Sequence, residues 1–540
     1  MASIIYATQT GTSQEIAEQI FLELYKRNIS SSLSNIDAYN LQNLIDSTLK
    51  IFVVSTSGQG NMPKSFTKNW NFLLKKNLRA DILSGVVFCV FGLGDSSYKK
   101  FNFAAKKLCS RLKQLGATEV ISRGDGDDQH SAGVDGAFFP WLQELFSYFG
   151  SPSISLDPPP KVSIEISNET STDSIRSIKP ATLRFNEKLI EFDCVENVRV
   201  TPESHFQDIR NLKFEFKESI QYRAGDIFVI RPQNTQKVVN DFLDFCKWQE
   251  IAFKPLHLTK QRADCNPLLN LSFNWTLHEL CIHYFDLLHI PRRHFFRLLS
   301  KNSTRHQEKL LELAQDQDEW NRYVWKPKRT AFEILIEFEI VPELGLMFDL
   351  FPSLQPRSFS ISKLNERSLE LTVGIVEYNT LLKNRTGVCT QWMKTLNGRV
   401  QASVESGIFR DLKGTLILIC NGTGIAPMRN IISRYSSKIY LFYGYRYTGK
   451  DNLYFSEFTH ITVYSRGSRD SSQKVYVQDL VMEHKELIRK LVFDGAMILV
   501  SGNSKLPDEL DRVLSEIFAD QGDDFVARLE NDGRYQSETW

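Results

Sequence analysis

The first 150 residues alternate short apolar runs with helix-like stretches: SIIYA, LKIFVVS, VVFCVFGLG and EVISRG punctuate the segment. Such alternation predicts a parallel sheet wrapped by helices. The stretch SPSISLDPPPKVSIEISNETSTDS (151–174) then breaks the pattern with Pro, Ser and Thr, and predicts a linker over 151–178. Short strand-like segments follow from about 179 (ATLRFNE, EFDCVENVRV, LKFEFKE, GDIFVIRP) and predict a β-barrel. Residues 236–330, rich in aromatics and His, read as a helical insertion without strands, after which strand signals return at 355–405. From 406 to 540 the alternation resumes with TLILICNGTG, KIYLFYGYR, HITVYSR and GAMILVSGN, a second βαβ unit. The expected organisation is a multidomain α/β and β chain: 1–150, a linker over 151–178, a barrel over 179–405 with its insertion, and 406–540.

Composition narrows the class. A chain of 540 residues exceeds one core and fits three or so domains. Hydrophobic content of 42% with 24% charge is that of a soluble globular protein. The 65 basic residues against 64 acidic ones create no bulk field for nucleic acid. Ten histidines lack metal-ligand spacing, so no metal site is expected. Eight cysteines contain no C-x-x-C pair, which suits free thiols in a reducing compartment. No apolar run reaches the ~18 residues of a membrane span, and the N-terminus lacks a signal peptide's basic region. The expectation is a cytosolic protein without a membrane anchor.

The first chemistry-bearing stretch is IIYATQTGTSQEIAEQI, a strand, a hydroxyl-rich turn and a helix. Thr8, Thr10, Thr12 and Ser13 offer hydroxyls, Gly11 permits close backbone approach, and the helix start presents free N–H groups. Such a nest binds phosphate without Lys or Arg. Alone, it is equally an ordinary helix N-cap. Two further loops, STSGQGNMP (55–63) and FGLGDSSYKKFN (91–102), also follow apolar strands, at the carboxyl edge where open α/β sheets bind ligands.

Together the three loops resemble the FMN site of flavodoxins in spacing and order. The resemblance implies that Thr8, Gln9, Thr10, Gly11, Thr12 and Ser13 hold the FMN phosphate. Ser55, Thr56, Ser57 and Gly58 would lie against the isoalloxazine. Leu93, Gly94, Asp95, Tyr98, Phe101 and Asn102 would complete the site, with Tyr98 stacked on the ring. Ser57 replaces a tyrosine of the haem-linked diflavin reductases, which leaves one flavin face more open. Asp128, in GDGDDQH, matches a position near the flavin's rim; read alone, it is a solvated acidic turn.

QPRSFSIS (355–362) resembles the R-x-Y-S signature of the ferredoxin-reductase flavin barrel. The likeness places Arg357 on the FAD pyrophosphate, Ser358 and Phe359 beside the flavin, and Ser360 by N5, where hydride arrives. NRTGVCTQWM (384–393) matches the element that turns the N–H groups of Gly387, Val388, Cys389 and Thr390 toward the pyrophosphate. Lys328 falls where the family usually has an arginine for FAD. CNGTGIAPMRN (420–430) resembles the NADPH-side turn of the same reductases, with Thr423 on the nicotinamide nucleotide. Ser465, Arg466, Lys474, Val475, Tyr476, Val477 and Gln478 stand where the family holds the adenosine 2′-phosphate. Read without the family, Arg466 and Lys474 are ordinary surface charges. Ser501, in VSGNSKLPDEL, replaces a cysteine that positions the nicotinamide, and Glu509 lies where an aspartate meets NADP. The terminal GRYQSETW places Glu538 at an acidic position that stabilises charge during transfer. It also lays Trp540 on the FAD ring, with a groove of its own domain as the plainer alternative.

The matched motifs run from Thr8 to Trp540 and are similar to the diflavin reductase family. Their soluble, compact form looks like its NADPH-dependent branch serving cytosolic iron–sulfur assembly. The resemblance implies an enzyme carrying electrons from NADPH through FAD and FMN to an iron–sulfur protein, anamorsin. The alternatives are another soluble diflavin reductase, such as a sulfite reductase flavoprotein subunit, or a scaffold that has lost its cofactors.

Overall fold

A computed structural model describes residues 1–8, 11–58, 60–98, 100–150, 158–167, 189–262, 264, 274–380, 383–467, 474–522 and 524–539. The chain forms two compact units. One comprises Met1–Arg184, Gln233–Gln355 and Asn379–Arg385; the other comprises Phe185–Pro232, Pro356–Tyr378 and Thr386–Trp540.

The first unit opens with β1 (Ala2–Ala7), α1 (Thr12–Lys26), β2 (Ser31–Asn35), β3 (Leu49–Ser55), α2 (Thr67–Leu73), β4 (Val87–Gly94), α3 (Phe103–Gln114), β5 (Thr118–Glu119), β6 (Gly124–Asp127) and α4 (Asp135–Phe149). The parallel sheet has the order β2-β1-β3-β4, and both β5 and β6 pair with β4. This is the doubly wound flavodoxin arrangement. β1, β3 and β4 are apolar on both sides because helices cover both faces. On one face, Ile4, Ile51 and Phe91 pack against Ile16 and Ile20 of α1 and Phe138 and Leu142 of α4. On the other, Ile5, Phe52 and Val90 pack against Leu73 of α2 and Ala105, Leu108 and Leu112 of α3.

The rest of this unit is largely helical, including Gln236–Cys246, Leu277–His283, Arg293–Lys301 and Ala331–Glu337. The expectation that 236–330 lacks strands is corrected here. Pro255–Lys260 pairs antiparallel with Trp275–Thr276 on one side and with Val162–Ile166 on the other. A strand therefore also lies within the stretch read as linker. V-S-I-E-I alternates with a period of two, and Leu256 and Leu258 turn inward between polar residues. Neither signal exceeds a handful of residues, and Pro and Ser crowd the sequence around the first of them.

In the second unit, strands 190–199, 209–215, 227–230, 357–364, 368–374 and 398–405 close a six-stranded antiparallel barrel. Phe192, Phe214, Phe228, Ile361 and Leu371 fill it. A five-stranded parallel sheet follows, in the spatial order 462–467, 439–445, 416–421, 497–502, 535–539. Barrel and sheet are tied by buried polar bonds. Arg429, on helix Ile425–Arg434, donates to Glu370 of the barrel at 2.7 Å and to Glu457 at 2.9 and 2.7 Å. Asn430 Nδ2 donates to the Ile361 carbonyl at 3.1 Å. These bonds hold the strand carrying Ser360 against the carboxyl edge of the parallel sheet. Among the described residues no helix is long and apolar enough to cross a membrane.

Candidate functional site: two nucleotide cradles and a hydride site

The first cradle lies at the carboxyl ends of β1, β3 and β4. Gly11 caps α1 in the left-handed region at φ 102°, and its N–H donates to Thr8 Oγ1 at 2.8 Å. A side chain there would be strained and would press on Gln355. The second loop is pinned by a reciprocal pair, Ser57 N to Asn61 O at 3.0 Å and Asn61 N to Ser57 O at 2.8 Å, and by Thr56 N to Leu93 O at 2.8 Å. The third loop is held by Asp128 N to Gly94 O at 3.0 Å and by Ser96 N to Asp127 Oδ1 at 2.8 Å. Asn102 sits buried at φ 53°, donating to Gly126 O at 3.1 Å, and a Cβ on Gly94 would meet its Oδ1 at 2.8 Å.

The fit of this cradle to a phosphorylated ring rests on unmet hydrogen-bonding capacity. The hydroxyls of Ser13, Thr56 and Ser57 are buried without a hydrogen-bond partner. A buried polar group left so costs about 1–3 kcal/mol, and a phosphate and flavin edge would supply the missing partners. The structure thus brings together Thr8, Gly11, Thr12, Ser13, Ser55, Thr56, Ser57, Gly58, Leu93, Gly94, Asp95, Tyr98, Phe101 and Asn102 on three adjacent loops, with Asp128 on the loop after β6. Gln9 and Thr10 lie outside the described residues.

Lys328, expected beside FAD, belongs to this same unit, whereas Arg357 belongs to the other. Its ammonium stands 3.2 Å from the Trp325 ring centroid, and Asp128 is its charged neighbour.

In the second unit Arg357, Ser358, Phe359 and Ser360 open barrel strand 357–364. Gly387 caps the helix Val388–Lys394, and Thr390 Oγ1 accepts from Val376 N at 3.0 Å. Burial pushes the Cys389 thiol up to about 12, and the Arg357 guanidinium acts on it in the opposite direction. The two expected pyrophosphate elements therefore lie close enough to feel each other electrostatically.

The candidate hydride site is assembled from residues far apart in sequence. Ser360 Oγ donates to Glu538 Oε2 at 3.0 Å. Glu538 lies opposite Ser501 in the parallel register, and Ser501 lies opposite Cys420 at the head of the N-G-T-G turn. Ser501 is fully buried and its hydroxyl has no hydrogen-bond partner. A Cβ on Gly424 would meet the Ser501 carbonyl at 2.2 Å, so the turn holding Thr423 can pack on this strand only as glycine. Burial pushes the Glu538 carboxyl up to about 7, and the Ser360 hydroxyl partly offsets the shift.

Asn421 was missed in the sequence. Its Oδ1 accepts from Asn503 N at 3.1 Å and pins the turn to the following loop. An asparagine directly before G-T-G was the available signal. Ser465 and Arg466 end strand 462–467 at the carboxyl edge, Arg466 in register with Gly444, while Lys474, Val475 and Tyr476 lead into the helix Val477–Glu483 carrying Gln478. Glu509 occupies the first turn of helix Leu506–Ile517. Trp540 lies outside the described residues, but strand Tyr535–Thr539 brings Thr539 beside Gly502.

The family resemblance, which lays Trp540 on the FAD ring, carries a prediction. If it does, then with the chain cut after Thr539 NADP⁺ is expected to bind about ten- to a hundredfold tighter and KM for NADH to fall, because no indole would have to be displaced. Unchanged constants with a lowered Tm would show that Trp540 only anchors its own domain.

A flavodoxin sheet, a flavin-type barrel and a parallel nucleotide sheet in one chain define a two-flavin reductase that uses a nicotinamide coenzyme. Family profiles agree: Flavodoxin matches residues 4–141, FAD binding domain 186–392, and Oxidoreductase NAD-binding domain 418–510. The chain is 34% identical to NADPH-dependent diflavin oxidoreductase 1 of Danio rerio over 99% of both chains. It is 34% identical to that of Candida albicans over 100% of this chain and 99% of the other, and 32% identical to that of Schizosaccharomyces pombe over 99% of both. The chain belongs to the NADPH-dependent diflavin oxidoreductase family. It is an oxidoreductase, with FMN, FAD and NADPH as its cofactors.

Proposed function

We propose that this chain delivers electrons from NADPH to an iron–sulfur protein of the anamorsin kind, in the cytoplasm, as a step of iron–sulfur cluster assembly. When bound, the flavins accept a hydride's two electrons and release them singly, which is the chemistry an iron–sulfur cluster requires. The residues of the chain bind, orient and shield. Thr8, Ser13 and the α1 N-terminus would hold the FMN phosphate. Thr56 and Ser57 would donate along the ring. Arg357 and the Gly387–Thr390 backbone would hold the FAD pyrophosphate. Ser360, Ser501 and Glu538 would surround the position where hydride passes, with Glu538 offsetting the charge that develops there.

One observation carries the reading: orphaned buried hydroxyls (Ser13, Thr56, Ser57 in one unit, Ser501 in the other) occur at both cradles. Free buried cysteines among the described residues support a reducing compartment. The test has two arms. Heat-released flavins are expected at one FMN and one FAD per chain; a chain full of FAD that cannot take up FMN would sink the two-flavin scheme. Under anaerobic conditions NADPH is expected to bleach the cluster absorption of purified anamorsin through this enzyme. Reduction of a sulfite reductase haemoprotein instead would assign a different acceptor.

A further inference from the structure

We infer that the electron acceptor docks through an acidic surface on the face formed by α2 and α3, a proposal that rests on the electron-delivery reading above. Bulk charge hides this face. Residues 1–150 hold 15 Lys and Arg against 13 Asp and Glu, yet the signs are segregated. Between Lys64 and Lys113 stand eleven cations and only two carboxylates, Asp81 and Asp95. Four of the acids, Glu15, Glu18 and Glu23 on α1 and Asp135 at the start of α4, lie on the opposite side of the sheet, where partners within the unit already neutralise them. Arg292 meets Glu15 at 3.1 Å and Asp135 at 2.9 Å, Lys161 meets Glu18 at 2.5 Å, and Arg297 meets Glu23 at 2.8 Å. On the α2–α3 face Arg79 meets Asp81 at 2.8 Å and Asp37 faces Lys64 and Lys68, yet the cations there still outnumber the carboxylates.

The geometry of this face suits transient docking beside a flavin. Lys64, Lys68, Lys75, Lys76, Arg79 and Lys107 are exposed on it. At its centre Phe72 is 43% and Leu74 47% exposed, and Lys75 Nζ stands 4.9 Å from the Phe72 ring centroid. An exposed apolar centre ringed by one sign of charge is the make-up of a docking patch. Arg111 Nε donates to the Leu73 carbonyl at 2.8 Å and locks α3 to the end of α2. Lys107 Nζ donates to the Gly60 carbonyl at 2.9 Å, and Gly60 belongs to the second FMN loop. The patch is thus continuous with the rim of the cradle, where an acceptor must come for an electron to cross. A partner presenting carboxylates around an apolar residue complements it, with steering at long range and weak, rapidly reversible contact.

The probes are two haem proteins of opposite charge, acidic cytochrome b5 and basic cytochrome c, with ferricyanide as a small acceptor. The variant is K68E/K75E/K76E in the full, flavin-loaded chain; none of these residues belongs to the cradles. Wild type is expected to bind and reduce cytochrome b5 with kcat/KM falling steeply with salt. The variant is expected to lose at least tenfold with cytochrome b5 at low salt and to gain with cytochrome c. The difference should close near 1 M salt, where the Debye length is ~3 Å. Ferricyanide turnover and KM for NADPH should stay as in wild type. Phe72→Ala is expected to weaken cytochrome b5 docking several-fold without altering the salt slope. Equal changes with both haem proteins, or a parallel fall with ferricyanide, would overturn the docking face. Release of cytochrome b5 by a tighter-binding single-stranded oligonucleotide would also overturn it, in favour of nucleic acid. Salt-dependent binding of cytochrome b5 without any NADPH-driven ferricyanide reduction would sink the electron-delivery reading and leave the acidic partner standing.

Discussion

Glu538→Gln is expected to slow flavin reduction by NADPH about a hundredfold and to flatten its pH profile. Glu538 is held beside Ser360 and Ser501, at the position proposed for hydride transfer, and burial lifts its carboxyl to about 7. In that proposal its working form is the carboxylate, which would balance the positive charge growing on the nicotinamide, and preorganised charge of this kind is worth about 10²–10³ in rate. A group titrating near 7 is only ~10% ionised at pH 6 and ~90% at pH 8. Wild-type flavin reduction should therefore climb nearly tenfold across that interval, while the glutamine variant stays low and level. Stability moves the opposite way. Unfolded, the carboxyl ionises near its ordinary 4.5; folded, it holds its proton to about 7. The fold therefore enjoys the full benefit of the protonated group below pH 4.5 and loses it as pH rises through 7. Glu538→Gln should match wild type in Tm at pH 4 and exceed it at pH 8. Stopped-flow flavin bleaching and thermal melts at both pH values check the pair. A variant that keeps the wild-type pH profile would show that another group titrates.

What could be read beforehand follows from how local each signal is. T-Q-T-G-T-S announces a phosphate nest because the hydroxyls, the left-handed glycine and the helix start all fall within six residues. The barrel strands were legible from alternation, and the parallel sheets from unbroken apolar runs. The strand Val162–Ile166 was not, since its partner Pro255–Lys260 lies some 90 residues on, beyond three strands that belong to the barrel. The contact between Ser360 and Glu538 spans 178 residues, so no window of sequence contains it. The family likeness named the two residues separately, through two short motifs, but not the bond between them. Arg429 shows the same limit. Its bonds to Glu370 and Glu457 fix the barrel against the parallel sheet, yet in the sequence it is one charge inside an apolar helix. The placement of Lys328 beside Trp325 and Asp128 likewise depends on packing that the chain order does not reveal.

Replacing both Arg466 and Lys474 by Ala should raise KM for NADPH by at least a hundredfold and leave KM for NADH nearly unchanged. Strand 462–467 ends at the carboxyl edge next to strand 439–445, whose own end adjoins the N-G-T-G turn, so Asn421, Gly444 and Arg466 form one row along that edge. A dinucleotide seated with its nicotinamide half at Thr423 extends along this row and brings its adenosine to Ser465 and Arg466. Tyr476, whose N–H donates to Asp479 Oδ2 at 2.7 Å, starts the neighbouring helix and holds Lys474 just ahead of it. Only NADPH carries a phosphate on the adenosine ribose. Each charge-assisted hydrogen bond to it contributes about 1.5–3 kcal/mol, and two of them together separate the coenzymes by roughly a hundredfold or more. Because the nicotinamide end is untouched, kcat should hold with both coenzymes once they are saturating, which places the whole loss in binding. Steady-state constants for NADPH and NADH, with Kd for NADP⁺ and 2′,5′-ADP, make the measurement. Losses of equal size with the two coenzymes would mean that neither cation reads the 2′-phosphate, and the preference would then have to arise elsewhere along the edge.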